Sequence, residues 1–104
     1  MQKKLPDWLY HSMSIALLGE IYPSIRAIAI KSSGVNATLR YYLDREPTEF
    51  DVESIEVVAT NLDACMSERL WERIDTECLF YLGGFSELEN CELLFYARRE
   101  YDLE

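Results

Sequence analysis

Between Leu39 and Glu56 the chain changes its period, and that change limits the fold more than any other feature. Leu39, Tyr41 and Leu43 alternate with Arg40, Tyr42 and Asp44, the two-residue period of a half-buried strand. Glu46 precedes Pro47, and a residue before proline is driven out of the α region. Thr48 is then a natural N-cap, with Asp51 three positions on as a short form of the capping-box partner. Glu49, Asp51 and Glu53 set negative charge at the positive end of a helix dipole. A strand, a tight charged turn and a helix start follow in that order.

The flanks extend this pattern. The spacing predicts an amphipathic helix over 6–21, with Leu9, Met13, Ala16, Leu17 and Ile21 on one side and Pro23 ending it. Ile25 to Ser32 reads as a strand. The turn signal Ser32-Ser33-Gly34-Val35-Asn36 pairs it antiparallel with Ala37 to Asp44. The second helix runs from Glu49 to about Met66, with Val52, Ile55, Val58, Ala59, Leu62 and Met66 as its apolar face. Ile74 to Leu82 alternates as a third strand, with Asp75, Glu77, Leu79 and Tyr81 on its outer side. Gly83-Gly84 breaks the chain, and Phe85 to Asn90 is a loop or a single helical turn. Cys91 to Arg98 is the last strand, with Leu93, Phe95 and Ala97 inward and Leu94, Tyr96 and Arg98 outward. The tail from Arg99 is charged, with Tyr101 as its one candidate for packing.

The order α-β-β-α-β-β predicts an α+β fold. It is a two-layer sandwich in which a four-stranded, mainly antiparallel sheet carries both helices on one face. Residues 1–104 make one domain.

Composition narrows the function classes. No apolar run is long enough to cross a bilayer, and no signal peptide is read at the N-terminus. Cys65, Cys78 and Cys91 are an odd number without close pairs, which points to buried reduced thiols in a cytoplasmic protein. With a single histidine and no Cys-x-x-Cys, no metal or other cofactor is expected. His11 has no nucleophile or carboxylate spaced to work with it and reads as a surface residue.

The net charge of −9 is uneven: residues 1–43 carry +3 and residues 44–104 carry −12. An acidic field repels phosphates, so direct nucleic-acid binding is disfavoured and a basic protein partner is favoured. Plain solubility would also account for such a surface. Glu46, Glu49, Asp51 and Glu53 have the residue types of a metal or acid/base cluster, but helix capping explains them without chemistry.

With two helices on one side of the sheet, the other side shows Arg40, Tyr42, Glu77, Tyr81, Tyr96 and Arg98. Tyrosine and arginine suit an interface, because they bury large area and keep a polar tip. Ordinary cross-strand pairing explains the same residues, and a sheet-to-sheet homodimer would use this face too.

Three segments, Tyr22 to Ala29, Leu39 to Thr48 and Tyr96 to Tyr101, resemble a family of small bacterial immunity proteins. These are similar to the antidotes of contact-dependent growth inhibition and related polymorphic toxin systems. The resemblance implies a cytoplasmic, non-enzymatic protein that binds the C-terminal toxin domain of a cognate effector, often a nuclease. Under it, Asp44, Glu46, Glu49, Asp51 and Glu53 stand in for phosphates against a basic active site, and Tyr42, Tyr81 and Tyr96 are anchors. The competing readings are an interaction adaptor or self-associating regulator, and an enzyme or metal protein using the carboxylates of 44–53.

Overall fold

A computed structural model describes residues 6–89 and 93–100; the expectations for Cys91 and Tyr101 lie outside the described residues. Its elements are α1 (Trp8–Ala16), β1 (Ile25–Ser33), β2 (Asn36–Leu43), α2 (Glu49–Cys65), β3 (Arg73–Phe80), α3 (Phe85–Glu89) and β4 (Leu93–Ala97). The strands form one sheet in the order β3-β2-β1-β4.

The sheet is mixed, which corrects the expectation of a mainly antiparallel one. β1 runs antiparallel to both β2 and β4, but β2 and β3 are parallel. The cause lies in the connection. A 17-residue helix is about 25 Å long, close to the ~26 Å of an eight-residue strand. α2 therefore returns the chain to where β2 began, and β3 starts at Arg73 beside Asn36 and ends at Phe80 beside Leu43. A hairpin needs a tight turn, and the crossover here is a helix.

α1 stops at Ala16, earlier than expected. A turn over Leu17–Glu20 follows, with Gly19 at a φ of +76° that side chains disfavour. Ile21 consequently leaves the apolar stripe and is exposed.

The larger core joins Leu9 and Met13 of α1, Ile55, Val58 and Leu62 of α2, and Ile28, Ile30, Leu39, Tyr41 and Leu43 of the sheet. A second, smaller core lies around Ala27, Ala29 and Tyr42, capped by Leu88 and Phe85 of α3. β1 spells out this arrangement: its isoleucines sit in the larger core, and its alanines leave room for α3 on the other side. The face expected to be open is thus partly covered, and Tyr42 is buried within it.

Two β-bulges reset the alternation. In β4 the extra residue is Phe95, because Ile28 pairs with Tyr96 while Ala29 pairs with Leu94. Phe95 and Tyr96 both pack on the larger core, so Tyr96 does not face outward as expected. In β1 the extra residue is Arg26, between the pairs Ile25–Leu43 and Ala27–Tyr42. Its guanidinium carbon lies 5.0 Å from the centre of the Phe85 ring, beneath α3.

The β1–β2 hairpin closes on Ser33 opposite Asn36, with Gly34 at φ +60° as the first of two loop residues. That position suits the II′ turn, which asks for glycine there. Gly34→Ala should lower stability by about 1–2 kcal/mol, read as a drop in the urea midpoint at unchanged slope. Trp71, just before β3, is buried, and its Nε1–H donates to Ser32 Oγ at 2.9 Å, tying the crossover to this hairpin.

Candidate partner-binding surface

The geometry of the surface starts at the capping box that the sequence signals. Thr48 has extended backbone and caps α2, and its N–H donates to Asp51 Oδ2 at 2.7 Å. The Thr48 hydroxyl reaches the same oxygen at 3.1 Å. Asp51 is fully buried and sits in the first turn of the helix's inner stripe, ahead of Ile55, Val58 and Leu62. It displaces Val52 from the place the sequence reading gave it, and Val52 is half exposed.

A buried carboxylate needs donors. Arg45 supplies two, with Nη1 at 2.6 Å from Oδ2 and Nη2 at 3.1 Å from Oδ1. The Tyr22 hydroxyl donates a short hydrogen bond to Oδ1. Burial pushes the Asp51 carboxyl up, but Arg45, Tyr22 and Thr48 together outweigh it and hold it well below the usual carboxylate range. Burial, reinforced by Asp51, raises the Tyr22 phenol, which therefore stays a donor.

Tyr22 has a second neighbour. Its ring meets the Phe50 ring edge-on, with centroids 5.0 Å apart. Phe50 is nevertheless 60% exposed. Together with Gly19, Glu20 and Ile21 before β1, and Glu53, Ser54 and Val57 of α2, these rings line an open groove of about 340 Å³. Phe50, Glu53, Ser54 and Val57 follow the spacing i, i+3, i+4, i+7, so they share one outer line of the helix. That line was legible as apolar residues lying off the main stripe, and the sequence reading missed it.

The charge around the groove is one-signed. α2 carries Glu49, Asp51, Glu53, Glu56 and Asp63, with no lysine, arginine or histidine. Glu46, Glu49 and Glu53 are exposed, and no described lysine or arginine forms an ion pair with any of them.

The other expected site residues are placed differently. Asp44 is bound by Arg98 at 2.7 Å, and Arg98 also holds the Pro23 carbonyl and Glu100. Glu77 pairs with Arg40 across the parallel β2–β3 register at 2.5 Å. Tyr42 lies under Tyr81, ring centres 5.2 Å apart, and the Tyr81 hydroxyl has two acceptors in reach of its one proton, Gly84 O and Glu87 Oε2, each at 2.9 Å. Glu53 thus lines the groove and Glu49 stands one turn before it on α2, while Asp51 is buried and Glu46, Tyr42, Tyr81 and Tyr96 are not among the lining residues. Among the described residues no three of His, Cys, Asp and Glu stand together as a metal site. Cys65 and Cys78 are free, half-buried thiols, and burial pushes Cys78 up to about 11.

Exposed aromatic and aliphatic side chains beside carboxylates that have no cationic partner among the described residues have the make-up of a protein-binding surface, carried here on a small α+β scaffold. Among the described residues no helix is long and apolar enough to cross a membrane. The chain belongs to the MafI2 immunity protein family, whose model matches residues 6–100. The resemblance to small bacterial immunity proteins is thereby made specific. No curated protein matches the chain.

Proposed function

We propose that this immunity protein acts in the cytoplasm by binding the toxin domain of a cognate effector, that the toxin is a nuclease, and that the effector belongs to a contact-dependent or related polymorphic toxin system. The observation that carries the reading is the one-signed charge of α2, which bears five carboxylates and no cation, in a chain of net charge −9. A nuclease must hold polyanions, so its working surface is basic. Carboxylates fixed on a helix imitate the phosphates of that substrate. They steer encounter, and the bound protein then excludes nucleic acid from the same surface. The protein performs no reaction of its own in this scheme; it acts by occupancy.

The test is co-expression with the cognate toxin domain. Cells that make the toxin domain alone should die and lose nucleic acid, and cells that also make this protein should survive. Association of the purified pair should slow by about tenfold or more as salt rises from low to high ionic strength. Survival without the immunity protein removes the toxin-binding reading. Death without nucleic-acid loss removes the nuclease while leaving the immunity role.

A further inference from the structure

We infer that the groove between the Gly19–Tyr22 segment and the outer line of α2 is where the partner docks, and that it receives a lysine- or arginine-flanked segment led by one large apolar side chain. This rests on the toxin-binding reading above and adds the face and the chemistry of what fills it.

Three observations converge on it. The first is apolar exposure at one place. Phe50 and Val57 are 60% and 46% exposed, and Ile21 beside them is 42% exposed. Scattered exposed apolar residues are ordinary, but these line a single concavity. The second is rigidity. Phe50 rests edge-on against Tyr22, and Tyr22 is hydrogen-bonded to the fully buried Asp51. An aromatic fixed before binding loses little freedom on contact, the condition that favours an interface hot spot. The third is the rim. Glu20 and Glu53 line the groove, and Glu49 stands one helical turn before Glu53 on α2. The cations nearest in sequence, Arg26 and Arg45, are engaged by Glu100 and Asp51.

Apolar floor and acidic rim together select the ligand. Nucleic acid and anionic lipid are repelled by the rim. A free metal ion or small cation leaves the floor unused. A protein segment with basic residues on either side of an aliphatic or aromatic tip satisfies both. Its tip replaces water on Phe50 and Val57, and its cations meet Glu49 and Glu53.

The experiment measures binding of purified variants to the toxin domain, alongside thermal unfolding. Phe50→Ala should weaken binding by about thirtyfold or more, mainly through faster dissociation. Glu49→Lys/Glu53→Lys should slow association and weaken its salt dependence. Glu68→Lys/Glu72→Lys makes the same change in net charge at exposed positions before β3 and should bind within a few-fold of wild type. Leu82→Ser, at a site 73% exposed, is the matching apolar control and should also bind normally. Ile21→Ser reads the same groove from outside α2 if a helix variant proves unstable. Wild-type affinity in Phe50→Ala and in Glu49→Lys/Glu53→Lys overturns the assignment of this face. Equal weakening by Glu68→Lys/Glu72→Lys overturns it too, because the effect is then one of total charge. A wild-type protein that binds no toxin domain fails at the earlier reading instead.

Discussion

Asp51→Ala should lower stability at pH 7 by about 3 kcal/mol, the scale set by removing one partner from a buried ion pair. Removal leaves the Thr48 N–H, the Tyr22 hydroxyl and two Arg45 nitrogens without their acceptor at the start of α2. Arg45 is partly exposed and can turn to water, which keeps the loss toward the lower end of that range. Acid should reproduce part of the effect in the wild type. The folded carboxyl titrates well below its unfolded value of about 3.9, so its stabilisation is complete above that pH and drains as the pH falls through the depressed folded value. Asp51→Asn keeps the shape and an acceptor for the cap but carries no charge, so its stability should fall less steeply between about pH 4 and 2. Glu100, also held low, first by its hydrogen bonds from Arg26, remains in that variant and leaves a residual slope. Urea unfolding at several pH values measures both. Parallel acid loss in wild type and Asp51→Asn would falsify the assignment.

Arg26→Met should cost about 2 kcal/mol, read from urea unfolding. The bulge in β1 turns this side chain under α3, where it is 7% exposed. Nε and Nη2 each sit 2.7 Å from the Glu100 carboxylate, Nη1 donates to the Tyr81 carbonyl, and the guanidinium stacks on Phe85. One residue therefore joins β1, the segment after β3, α3 and the segment after β4. Arg98 also binds Glu100, at 2.9 Å, so the carboxylate keeps one partner and the loss stays moderate. A double-mutant cycle with Glu100→Gln should return a coupling of about 1 kcal/mol. A coupling near zero would mean that Arg26 acts through packing on Phe85 alone.

These two residues mark where the sequence was readable and where it was not. The capping box at Thr48 and Asp51 was legible because its signal is local: a proline, a small hydroxyl residue and a carboxylate at fixed offsets. The β1–β2 hairpin was legible for the same reason, and the register carries Ser33 opposite Asn36. The direction of β3 was not. Parallel and antiparallel neighbours show the same alternation along one strand, and only the path of the crossover separates them. Tyr96 was misplaced because a bulge leaves no mark in a run such as Leu93-Leu94-Phe95-Tyr96, where either phase looks apolar. Arg26 was passed over because an arginine flanked by Ile25 and Ala27 gives no hint of its distant partners. For the surface, Glu46, Glu49 and Glu53 were picked out by charge. Phe50 and Val57 were passed over because neither falls on the main stripe of α2, and only the groove brings them together.

The strand order separates what the molecule must keep from what it is free to change. The two inner strands, β1 and β2, come from the less acidic stretch of the chain, and they are the elements that contribute buried residues to both cores. Glu49, Phe50, Glu53 and Val57 lie on the outward side of a helix whose inner side alone is buried. Replacing them removes little packing. The residues of the proposed docking face are thus free to vary while the architecture beneath stays the same.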